Sequence, residues 1–160
     1  VAGCEATAAK DRELRFGSLA EASKELDALM SAKQRISSGG WNWAQTLVHC
    51  AQSIEYSMIG FPNPKSHFFQ ATAGSAAFAV FELRGRMSHD RTEPIPGAPK
   101  LELDSKETLA MDRLRAAMAA FTAWQGELQP HFAYGQMTKS QYELAHSMHL
   151  ADHLSLFRTG

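Results

Sequence analysis

Apolar residues recur at helical spacing in the segment that opens at Trp43. Trp43, Leu47, Cys50, Ala51, Ile54 and Met58 share one stripe when successive residues are turned by about 100°. A half-buried strand would instead alternate apolar and polar residues between turn signals, and no convincing stretch of that kind occurs in the chain. Stripes of this type bury their surface by packing helix on helix. The pattern therefore predicts an all-α fold, most simply a four-helix bundle with an extra helical segment and a Pro-rich loop in a long crossover.

Breakers divide the chain into its elements. Ser18 caps a first helix, about 18–36, with Glu21 completing a capping box. Leu19, Ala22, Leu26, Leu29 and Met30 repeat along it until Ser37-Ser38-Gly39-Gly40 stops the run. Asn42 caps the second helix, which Gly60-Phe61-Pro62-Asn63-Pro64 ends. A third segment, about Ser66 to Arg84, is rich in Ala and Phe, and Gly74 in its middle weakens the case for one straight helix. Gly85 to Lys100 holds Pro94, Pro96, Gly97 and Pro99, a composition that continues neither helix nor central strand. Asp104 or Ser105 starts the next helix, with Pro130 marking its end, and Thr138 opens the last, about 138–157. Residues 1–15 read as a tether and 16–158 as one domain.

Charge narrows the function classes. Lys and Arg total 16 against 17 Asp and Glu, and no run of four like charges occurs. A nucleic-acid binder needs a clustered basic surface, so none is expected here. No uncharged apolar stretch approaches the roughly 20 residues that span a bilayer. Val1-Ala2-Gly3-Cys4 matches the small-residue pattern before the modified cysteine of bacterial lipoproteins. It sets the expectation of a cell-envelope or periplasmic protein whose membrane link is a lipid on Cys4; if the pattern is accidental, the protein is cytoplasmic. Cys50 lies on the apolar stripe of the second helix and reads as a small core residue.

Three of the seven histidines fall within eight residues near the C-terminus. Measured from His149, His146 lies at about 60° and His153 at about 40°, so the three share a helix face. The i, i+4 pair His149 and His153 can place two imidazoles on one divalent ion. Two ligands do not make a site, and His49, His67, His89, His131 and the carboxylates are all candidates for a third. Periodicity does not select His49. With Leu47 at 0° it falls at about 200°, beside Gln45, Gln52 and Tyr56, on the side expected to face solvent. Asp152 or Glu55 could orient a ligand imidazole through its other nitrogen. Trp41, Trp43, Phe121 and Trp124 read as core or crossover anchors.

Trp41-Asn42-Trp43-Ala44-Gln45-Thr46-Leu47-Val48-His49, taken with the His149-x3-His153 pair, resembles the DinB/YfiT-like family of metal-binding four-helix bundles. Gly60-Phe61-Pro62 and Pro94-Ile95-Pro96-Gly97-Ala98-Pro99 look like one bacterial branch of it, a domain of unknown function. The likeness runs from about Phe16 to Phe157. It implies an up-down-down-up bundle in which His49, His149 and His153 hold a divalent metal ion, Zn²⁺ or Ni²⁺ first, with the remaining positions open to water or substrate. Gln45, His49, Gln52 and Tyr56 would then line a cavity instead of facing solvent. His146, one turn before His149, is the candidate catalytic residue, as a proton carrier or hydrogen-bond partner beside the metal. The resemblance implies a metal-dependent hydrolase or thiol transferase, taking a small-molecule substrate or a low-molecular-weight thiol, and pairing of two copies. A non-enzymatic exported module that binds metal or a partner is the alternative.

Overall fold

The computed structural model describes residues 11–160. The lipoprotein pattern at Cys4 lies outside them. Nine elements follow in order: α1 (Leu19–Ser31), β1 (Arg35–Ser37), α2 (Trp43–Ile59), α3 (His67–Phe69), a π turn (Gln70–Gly74), α4 (Ser75–Arg84), α5 (Glu107–Ala123), α6 (Lys139–Leu154) and β2 (Phe157–Thr159). The chain is mostly helical. α2 runs along α5, α1 packs on α6, and α2 also meets α6. Leu26, Leu29, Leu47, Ile54, Leu114, Phe121, Met148 and Leu154 fill the core between these four helices.

Side-chain caps set the starts of α1, α2 and α6, whereas α5 starts at Glu107 after Lys106, which makes no side-chain cap bond, and so begins past the expected Asp104 or Ser105. Asn42 Oδ1 accepts from Gln45 N at 2.9 Å while Gln45 Oε1 accepts from Asn42 N at 3.1 Å. Thr138 and Gln141 repeat this reciprocal arrangement on α6. At α1, Ser18 Oγ accepts from Glu21 N at 3.3 Å, but the Glu21 carboxylate accepts from Gly17 N rather than closing back on Ser18.

Three helix ends also differ from the periodicity. α1 stops at Ser31 and α6 at Leu154, because Arg35–Ser37 and Phe157–Thr159 pair as an antiparallel two-stranded ribbon with Ile36 opposite Arg158. The ladder satisfies backbone groups that a longer helix would otherwise have used. α5 ends at Ala123, seven residues before Pro130. Residues just before α1 also dock onto the domain: Arg12 N donates to Ser155 O at 2.9 Å and Leu14 N to Ser155 Oγ at 3.1 Å.

The stretch from His67 to Arg84 is continuous but widens into a π turn that ends at Gly74. Backbone contact explains the glycine, since a Cβ there would stand 1.7 Å from Ala133 O. Gln70 Nε2, inside the same turn, donates to Lys65 O at 3.1 Å and to Phe132 O at 3.3 Å. Gly74→Ala is therefore expected to lower stability by about 3 kcal/mol, the upper end of overpacking costs, as read by urea unfolding.

The Pro-rich segment after α4 lies over the polar side of α2. Gln45 Nε2 donates to Leu101 O at 3.1 Å, Gln52 Nε2 to Pro99 O at 3.3 Å, and Asn42 Nδ2 to Leu103 O at 2.9 Å. Ile95 and Leu101 of this segment are themselves buried. The face that periodicity assigns to solvent is thus covered, and its amides are satisfied by loop carbonyls instead of water.

Candidate metal centre

Four histidines from three parts of the chain converge. His49 comes from α2, His149 and His153 from successive turns of α6, and His89 from the loop after α4. His49 Nε2 is 3.2 Å from His149 Nε2, and His89 Nε2 is 3.2 Å from His153 Nε2. One nitrogen from each of the four lies within 4.8 Å of all the others. Tetrahedral coordination by imidazole at 2.0–2.1 Å places neighbouring nitrogens about 3.3 Å apart. Two pairs already stand at that spacing, so the donor set fits a divalent ion with small movements of the rings.

Burial keeps the four in the form that binds metal. His49 is 3% exposed, and burial, with His89 nearby, lowers its pKa to about 3. His149 and His153 are held well below the ordinary value, first by burial and then by their imidazole neighbours. His89 is lowered to about 4 by burial, then by Arg91, against the opposite pull of Asp90. Neutral imidazoles have a lone pair to give, and metal binding need not first displace protons at neutral pH.

The surroundings are uneven. Asp152 Oδ2 stands 3.2 Å from His89 Nδ1, within ion-pair distance but off the hydrogen-bond direction. Burial raises the Asp152 carboxyl to about 6 despite Arg91 and Arg86. His49 Nδ1 and His153 Nδ1 are buried without a hydrogen-bond partner among the described residues. Trp41 covers them instead, stacked on His153 at 6.0 Å and 4.7 Å from the His49 ring. Glu55 pairs with Arg113 and takes no part in the centre. Cys50 is buried, its thiol pushed far up by burial, and is not one of the four.

A cavity of about 240 Å³ opens on the centre. Its lining joins His49, His89 and His149 of the centre with His131, Phe132, Tyr134 and His146. Of the α2 stripe expected to line it, His49 does so, whereas Gln45, Gln52 and Tyr56 do not. The loop carbonyls of Leu101 and Pro99 hold the two glutamines away from it. His146 stands outside the four-nitrogen set, with Nε2 3.1 Å from Ser57 Oγ. His67 is exposed elsewhere on the surface.

The family model described as a protein of unknown function, DUF1569, matches residues 8–159. The chain belongs to the DUF1569 family. No curated protein and no solved structure matches it. In this DUF1569 chain the four histidines could bind a metal ion. Spacing alone does not select His49, which only the resemblance singles out, and it leaves His89 one of several candidates. The sequence signal for His89 is its place in a long Pro-rich loop, a kind of segment that is often functional or closely tied down.

Proposed function

We propose that this DUF1569 protein holds a divalent cation, Zn²⁺ or Ni²⁺, among His49, His89, His149 and His153, and acts as a metal-dependent enzyme. Its reaction is hydrolysis or thiol-dependent transfer on a small molecule bound in the adjoining cavity. The observation that carries this reading is that three of the four converging imidazoles also wall the cavity. One histidine from α2 and an i, i+4 pair from the last long helix also support a DinB-like up-down-down-up bundle. A divalent ion held there supplies a Lewis acid that lowers the pKa of a water or a thiol.

The chain's own residues divide the remaining work. His49, His149 and His153 sit on helices and give rigid donors. His89 sits on a loop and keeps 28% of its side-chain surface exposed, which makes it the donor able to yield its place to a substrate. His146 presents a neutral imidazole to the cavity as a proton acceptor. Four imidazoles that all stay bound would instead close a tetrahedral set, as in structural sites. That count favours the second reading, a metal-holding module without turnover.

General ester and thiol-conjugation substrates separate the two. Turnover by protein loaded with Zn²⁺ or Ni²⁺, lost in His149→Ala and retained in His89→Ala, is the outcome expected of the enzyme. Metal binding with no turnover in either wild type or His89→Ala would support the module.

A further inference from the structure

Two histidines of the cavity lie outside the metal centre, and their hydrogen bonds fix which nitrogen carries the proton. His131 Nδ1 accepts from the backbone N–H groups of Ala133 at 3.1 Å and Tyr134 at 3.2 Å. A backbone amide only donates, so neutral His131 carries its hydrogen on Nε2. At His146 the bond lies on the other nitrogen. Its Nε2 is 3.1 Å from Ser57 Oγ, and the Ser57 hydroxyl donates to Ile54 O at 2.6 Å. The single Ser57 proton is thereby committed, so Ser57 accepts from His146 Nε2–H and the lone pair of His146 sits on Nδ1.

Packing holds both rings in place. His131 stacks on Tyr134 at 4.2 Å and 8°, and His146 lies against Tyr142 at 5.3 Å with Phe121 edge-on at 5.0 Å. Burial holds both imidazoles neutral, each lowered to about 3. His131 Nε2 and His146 Nδ1 have no hydrogen-bond partner among the described residues, yet neither is among the polar atoms sealed inside the protein. The cavity wall thus offers one uncharged donor and one uncharged acceptor, near the apolar surfaces of Met87 and Ile95.

We propose that His131 and His146 form a subsite of the cavity for an uncharged group that both accepts and donates a hydrogen bond, such as a carboxamide or a hydroxyl. It accepts from His131 Nε2–H and donates to His146 Nδ1. A carboxylate would satisfy His131 but face the His146 lone pair with negative charge, and an ammonium would meet the reverse conflict. Either one leaves a buried polar atom opposed, which costs more than a missing contact in water. Lys65 and Glu93 add one exposed charge of each sign to the lining and so favour neither ion. The subsite rests on the proposed function only in taking the cavity as the ligand site.

The test uses the metal-free full chain at pH 7, with butyramide, butyrate and butylammonium as probes and long-range ¹H–¹⁵N spectra of the histidine side chains as the readout. Both rings are expected to be protonated at Nε2. Butyramide is expected to shift His131 Nε2 and His146 Nδ1 and to bind at least about tenfold more tightly than either ion, a preference that His146→Phe removes. The opposite tautomer on either ring, a charged probe binding as tightly as the amide, or no amide binding in wild type would overturn the subsite. Zinc binding is measured separately, so loss of amide selectivity with zinc still bound would leave the metal reading standing, and the converse would leave the subsite standing.

Discussion

Acidification of the metal-free protein from pH 7 to about pH 5 is expected to unfold it. Six histidines, His49, His89, His131, His146, His149 and His153, have folded-state pKa values depressed below 6.5. Between 6.5 and those lower values the unfolded chain takes up protons that the folded chain refuses, so stability falls as pH falls. Each such group costs up to about 1.4 kcal/mol per pH unit in that window. Asp152 works the other way. Its folded pKa is raised to about 6 from 3.8, so it takes up a proton earlier when folded and offsets about one histidine between those limits. Five uncompensated groups amount to at most about 7 kcal/mol per unit, against a typical domain stability of 5–15 kcal/mol. Helical circular dichroism followed against pH checks this, and a metal-free chain still folded at pH 4 would contradict it.

Zinc added at pH 7.5 to the metal-free chain is expected to raise the melting temperature by about 5–10 °C at one hundred times the dissociation constant. Binding to the folded state alone contributes about 2.7 kcal/mol at that ratio, and a domain of this size shifts by about 2–4 °C per kcal/mol. His149→Ala and His153→Ala are expected to remove the shift, because each takes away a helix-borne donor. His89→Ala is expected to weaken it without abolishing it, since the three remaining donors are held by α2 and α6. Zinc should also move the acid transition to lower pH, because protons and metal compete for the same nitrogens. A uniform loss of the shift in all three variants, His89→Ala included, would mean that the four act as one closed set.

The helical reading was legible because Leu26, Leu29, Leu47, Ile54, Leu114 and Phe121 sit on stripes with a strong 3.6-residue period. The ribbon was not, because Arg35–Ser37 and Phe157–Thr159 are three residues each and carry no alternation long enough to read. Residues 31–36 kept helical composition while the pairing partner lay some 120 positions away. His149 and His153 were legible from spacing alone, as a local property of one helix. His49 was not, because periodicity assumes that a polar face meets water, and here the loop from Pro94 to Leu103 takes that place with its carbonyls. His89 was harder still, since nothing in a loop's sequence encodes where its side chain ends up. The roles of His131 and His146 depend on bonds made by Ala133, Tyr134 and Ser57, which no spacing rule carries.

The proposed centre has four imidazoles holding one metal ion beside the cavity. It is tested most directly by anomalous X-ray scattering from crystals of protein purified without chelator and then given one equivalent of zinc. One zinc peak about 2.1 Å from nitrogens of His49, His149 and His153, with His89 as the fourth neighbour, is the expected result. A chain that retains no zinc, or a peak away from these residues, would contradict it.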